Sequence, residues 1–115
     1  MKTIIAGSRT INKRAELMKA IESCPFHITS VVSGHANGAD QLGEWYSDYA
    51  HIPLEIFPAD WSTHGKSAGY KRNVDMANNA QALLVLWDGQ SSGTRHMINI
   101  AKVKKLQIHI HLVSN

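Results

Sequence analysis

The sequence predicts one three-layer α/β domain, with about five mainly parallel strands in the order 3-2-1-4-5 and helices on both faces. Three observations predict it. Strand-like and helix-like stretches alternate along the whole chain, which calls for parallel strands joined by helical crossovers. The first strand reads as apolar on both faces and the stretch Ala82–Trp87 is apolar without interruption, as suits strands buried on both sides. The length, 115 residues with 43% hydrophobic and 18% charged, suits a single domain spanning residues 1–115 and excludes a disordered tail, a collagenous repeat or a coiled coil.

Each element has its own signal. Residues 2–6 form a short apolar strand ending at Gly7, and Thr10 or Asn12 can cap a helix running to about Glu22 with Leu17, Met18 and Ile21 on one face. Residues 28–33 are rich in β-branched side chains and end at Gly34, giving the second strand. Ala39, Leu42, Tyr46 and Tyr49 recur at helical spacing, and Leu54–Phe57 alternates apolar and polar as an edge strand does. Residues 58–68 read as one long irregular loop, a length that in compact domains is more often functional than idle. A helix from about Gly69 to Asn79 leads into the strand Ala82–Trp87. A polar turn, Asp88–Gly93, precedes a last helix from Thr94 to about Lys104 and an alternating edge strand, Gln107–Val113. The crossing from the third strand to the fourth puts the topological switch point between strands one and four, where folds of this kind hold ligands.

The longest apolar stretch, Ala82–Trp87, falls far short of the ~20 residues of a membrane span, so no membrane partner is expected. Met1–Gly7 carries one lysine and too short an apolar run for a secretory signal, and reads as a strand. Cys24 is the single cysteine, with no partner for a disulfide or a zinc cluster, which fits a reducing compartment; a cytoplasmic protein is expected. The net charge of +3 favours anionic partners without establishing nucleic-acid binding.

In a parallel sheet every strand-to-helix turn leaves the same edge. That edge gathers Gly7-Ser8-Arg9, the segment Ser33–Asp40, the loop 58–68 and the turn Asp88–Thr94, and six of the eight glycines lie in these segments. Glycine lets backbone approach a ligand, and the helix that follows offers free N–H groups and the positive end of its dipole. Phosphate-binding turns thus converge on one crevice, although Gly-Ser-Arg alone is also an ordinary tight turn and Ser91-Ser92-Gly93-Thr94 also an ordinary helix cap. Neither a Walker loop nor a GxGxxG fingerprint is present. Arg9, Lys66, Lys71, Arg72 and Arg95 lie in or beside these turns, so the crevice is more basic than the chain. Arg72 and Asn73, early in their helix, point toward the same edge, where a guanidinium can grip phosphate with two donors.

Asp40, Asp60 and Asp88 share that edge; each is read either as a cap or loop brace, or as a ribose ligand or acid/base. Trp61 and Trp87 flank the crevice and a base can stack on either, with packing the first reading for Trp87; Tyr46 and Tyr49 are assigned to packing. The seven histidines contain no HExxH or His/Cys cluster, so no metal is expected. His109 and His111 share one face of an edge strand, and His35, His64 and His96 lie by the crevice as candidates for ligand contacts.

Taken in order, Gly7-Ser8-Arg9, Ser33–Asp40, Phe57-Pro58-Ala59-Asp60-Trp61, Gly65-Lys66-Ser67-Ala68-Gly69, Arg72-Asn73 with Met76, and Ser92-Gly93-Thr94 resemble the YspA-type, YpsA-related branch of the SLOG superfamily. The superfamily includes the LONELY GUY phosphoribohydrolases and the DNA-processing protein DprA. The resemblance spans residues 4 to about 101 and implies a Rossmann-like sheet with a nucleotide-type ligand at its carboxyl edge. LONELY GUY enzymes carry an Arg-Lys-x-x-Met segment and a Pro-Gly-Gly-x-Gly-Thr turn followed by a catalytic glutamate. Arg72 and Met76 match the first, but Arg95, His96 and Met97 stand where the glutamate belongs. Either Asp88, Asp40 or Asp60 replaces that carboxylate or the domain only binds.

The leading expectation is binding of a nucleotide or nucleotide-derived ligand by a sensing, sequestering or processing domain. The expected ligand-binding set is Gly7, Ser8, Arg9, Ser33, Gly34, Gly38, Asp40, Asp60, Trp61, Lys66, Arg72, Asn73, Ser92, Gly93 and Thr94. No resident cofactor is expected. An N-glycosidic phosphoribohydrolase with Arg72 and Asp88 as catalytic pair is the second reading, and a DprA-like single-stranded DNA module the third. A homodimer paired through Gln107–Val113 that completes the crevice is plausible on the family resemblance alone.

Overall fold

A computed structural model describes residues 1–114; Asn115, the last residue of the expected domain, lies outside the described residues. The elements run β1 (Lys2–Gly7), α1 (Arg14–Ser23), β2 (Ser30–Ser33), α2 (Ala39–Tyr49), β3 (Leu54–Ile56), α3 (Trp61–His64), a 3-10 turn (Gly65–Ser67), α4 (Ala68–Asn78), β4 (Ala82–Trp87), α5 (Ser92–Val103) and β5 (Gln107–Leu112). The five strands form one parallel sheet in the expected order, β3-β2-β1-β4-β5.

The side-chain alternation of β1 and β4 builds two cores. Ile4, Ala6, Leu83 and Val85 face Met76 and Ala77 of α4 and Met97, Ile98 and Ala101 of α5. Ile5, Leu84 and Leu86 face Leu17 and Ala20 of α1 and Ala39 and Leu42 of α2. Helices on both sides explain why these strands show no polar alternation. At the edges, all three residues of β3 are exposed, and β5 turns His109 and His111 toward α1.

Three local expectations are revised. The stretch 58–68 is structured, because Asp60 accepts the Thr63 N–H at 3.1 Å and the Ser62 hydroxyl at 2.8 Å and so caps the short α3. Neither Thr10 nor Asn12 caps α1, which begins at Arg14 after Lys13 without a side-chain cap. In α5, the cap is Ser91, so the helix begins at Ser92, two residues earlier than the sequence suggests.

Candidate functional site

The site forms where β1 and β4 lie side by side and their exits diverge. A Cβ on Gly7 would stand 1.8 Å from the Leu86 carbonyl oxygen, so only glycine ends β1 this close to β4. Ser8 then ties three turns together. Its N–H donates to Leu86 O at 3.0 Å, its hydroxyl accepts the Asp88 N–H at 3.1 Å, and its carbonyl accepts the Ala39 N–H at 3.2 Å. Gly38, at φ +76°, packs against the Arg9 backbone, whose carbonyl oxygen would lie 2.4 Å from an added Cβ. The start of α2 is therefore used to hold the β1 turn.

The start of α5 is left open instead. Ser91 Oγ accepts the Thr94 N–H at 3.4 Å and the Thr94 hydroxyl at 3.0 Å. Among the described residues, the N–H groups of Ser92 and Gly93 donate to no protein atom, at the positive end of a 12-residue helix. In front of them opens a cavity of about 510 Å³ lined by all three β1-turn residues, Arg72, Asn73 and the Ser91–Thr94 turn, with Met76 and Met97 as its apolar floor.

Arg72 reaches it from the second turn of α4. Its Nε donates to Asn73 Oδ1 at 3.1 Å and its Nη1 to the Gly34 carbonyl, which leaves Nη2 free. Burial pushes the guanidinium below its ordinary pKa, while the neighbouring Asp40 opposes that shift. Asn73 in turn donates to His96 Nδ1 at 3.1 Å and to Gly93 O at 3.5 Å, so it locks Arg72 to the α5 turn. His96, stacked on Tyr70 with ring centroids 4.4 Å apart, is held below its usual pKa by burial and accepts as the neutral ring.

The carboxylates separate by environment. Asp40, 5% exposed, accepts the Ala36 N–H at 3.2 Å, and burial raises its pKa to about 6. Asp88 accepts the Gln90 and Ser91 N–H groups at 2.8 and 2.9 Å, and these bonds hold its pKa below the usual range. Both line the cavity, whereas Asp60 points into its own helix and lines neither this cavity nor its neighbour.

Of the other residues the sequence singles out, Trp61 (53% exposed) and Lys66 line the larger cavity, while Lys71 and Arg95 do not. Arg95 lies over the Trp87 ring, 5.4 Å from its centroid. Ser33 is fully buried beneath the site, its hydroxyl engaged by Glu44 and Asp40 O. Gly34 and His35 line a smaller adjoining cavity of about 320 Å³. Among the described residues no His, Cys, Asp and Glu group could hold a metal; His109 and His111 bond Ser23 and Glu16 of α1. Ser91, Tyr70 and Ala36 line the larger cavity outside the expected ligand-binding set. Ser91 and Ala36 lie in turns expected at this edge, whereas Tyr70 had no sequence signal.

Fold and site define a doubly wound, Rossmann-like α/β domain with its cavity at the topological switch point. The family profile described as YspA, cpYpsA-related SLOG matches residues 1–64, and the chain belongs to this family. Membership points to a nucleotide-related role. The chain is also similar to the Gene 61 protein of Mycobacterium phage D29, 32% identical over 111 residues that cover 88% of each chain. No solved structure matches the chain, and no helix among the described residues is long and apolar enough to cross a membrane.

Proposed function

We propose that the protein binds a nucleotide or nucleotide-derived small molecule in the cavity at the β1/β4 switch point. The observation that carries this reading is the meeting, around one cavity, of the Arg9 and Arg72 guanidiniums with the unpartnered N–H groups of Ser92 and Gly93. A phosphate there would gain charge-assisted hydrogen bonds from an arginine fork and a helix terminus together. Trp61 and Tyr70, both exposed at the rim, supply faces on which a base stacks. A thermal-shift panel of mono-, di- and cyclic nucleotides tests the reading. Saturation at about a hundred times Kd adds about 2.7 kcal/mol of stability, and a panel in which no member raises Tm overturns it.

The presence of Asp88, Asp40 and Arg72 on the wall of one cavity favours one catalytic version, hydrolysis of a nucleoside monophosphate to free base and ribose 5-phosphate. The Asp88 carboxylate, kept ionised by two backbone N–H groups, is suited to stabilise oxocarbenium-like charge while Arg72 holds the phosphate. Chromatography of the incubated monophosphate decides it: free base should form with the parent protein and vanish with Asp88→Asn and Arg72→Ala. A single-stranded DNA ligand is distinguished by salt, since its affinity falls steeply as salt rises.

A further inference from the structure

The two cavities are chambers of one recess, because Arg9, Ala36, Trp61 and Arg72 line both. The larger, at about 510 Å³, already lies within the ~300–1,000 Å³ typical of small-molecule sites. The smaller is walled by the β2–α2 turn, Gly34–Asn37, and by Pro58 and Ala59 after β3. We propose, building on the nucleotide reading above, that the ligand is a two-part nucleotide. Its phosphodiester or pyrophosphate group lies between Arg9 and Arg72, one moiety fills the larger chamber, and a second, hydroxyl-bearing moiety fills the smaller one, where His35 receives it.

The position of the cations is the first reason. Among the described residues Arg9 has no hydrogen-bond or ion-pair partner, and Arg72 keeps Nη2 free after anchoring Nε and Nη1. Both stand on the wall the chambers share, so space continues on either side of the anion they would hold. A terminal phosphate leaves one side empty; an internal phosphodiester or pyrophosphate, with a substituent at each end, uses both.

The second reason is the construction around His35. Its backbone sits at φ +60°, a conformation uncommon outside glycine, and its N–H is pinned to Ser33 Oγ at 3.1 Å. Its ring Nδ1 lies 2.9 Å from Glu44 Oε2, and the same oxygen accepts the Ser33 hydroxyl at 2.8 Å. A carboxylate behind Nδ1 places the proton there and leaves Nε2 as an acceptor of fixed orientation. An oriented acceptor on the wall of a small polar chamber matches a sugar hydroxyl.

Calorimetric titration of matched series tests this: AMP, ADP and ADP-ribose, and UMP, UDP and UDP-glucose. In the series that binds, the sugar conjugate should bind at least tenfold more tightly than the matching diphosphate. His35→Gly, which tolerates positive φ while deleting the ring, and Ala59→Trp, which fills the smaller chamber, should each bring that ratio to about one. A conjugate that binds no tighter than its diphosphate, or a ratio that survives both variants, overturns the two-part ligand while leaving the nucleotide reading intact. Failure of every member to bind overturns both.

Discussion

Asp40 shows how one residue's environment sets its chemistry. Folded, it keeps its proton to about pH 6, whereas the ordinary value is 3.8, because burial penalises the charged form more than the Ala36 N–H and Arg72 favour it. Between those values the native state binds more protons than the unfolded chain. Asp40's contribution is therefore fully present below about pH 4, declines as pH rises through about 6 and is flat above, by an amount on the order of a few kcal/mol. Asp40→Asn keeps an acceptor for Ala36 and cannot ionise. Relative to the parent it should gain stability on going from pH 4 to pH 7, and parallel urea-midpoint curves for the two proteins would refute this account. Arg72 is the companion case. Its two anchoring bonds need the planar, multi-donor guanidinium, which an ammonium cannot reproduce. Arg72→Lys should therefore weaken nucleotide binding by at least tenfold in calorimetry, although it preserves the charge.

Two turns position the site at the level of elements, and they use their helices differently. The β2–α2 turn spends its helix start on Ser8, with Gly38 at positive φ against the Arg9 carbonyl. Gly38→Ala adds both backbone strain and a clash with main chain, so it should destabilise by more than ~1 kcal/mol in denaturant unfolding. It should also displace Arg9 and weaken the ligand. The α5 turn keeps its N-terminal donors open behind the Ser91 cap. Ser91→Ala removes the acceptor for Thr94, which typically loses ~1 kcal/mol, and lets the first turn fray. Stability and ligand affinity should then fall together; a loss of stability without loss of affinity would detach the α5 terminus from binding. The β1 turn, Gly7-Ser8-Arg9, was legible in sequence because a glycine ending an apolar strand is a local signal. The structure of residues 58–68 was not, since its short helix rests on one Asp60 cap rather than on an apolar period.

For the whole molecule, stability rests on the central strands β1 and β4, packed on both faces. Leu84, fully buried against the α1/α2 layer, is a direct probe. Leu84→Ala should lose ~2–5 kcal/mol of unfolding free energy, the usual range for emptying a leucine site in a core. The sequence by itself determined the sheet order, the two-sided burial and the convergence of the glycine turns at one edge, because hydrophobic period and strand–helix alternation are local and chirality fixes the crossovers. It also placed Arg72 and the Ser92–Thr94 turn near each other. What only the tertiary structure decided is which polar side chains face the cavity. Asp60 turns to cap α3, Ser33 turns to Glu44 and the Asp40 carbonyl of α2, Asn73 turns to brace Arg72 against Gly93 and His96, and Arg95 swings onto Trp87. The Asp60 outcome is a local cap, whereas those of Ser33 and Asn73 hang on Glu44, Gly93 and His96, partners 11 to 23 residues away. A hydrogen bond across 20 or 23 residues, as Asn73 makes to Gly93 and His96, leaves no periodic trace in the chain.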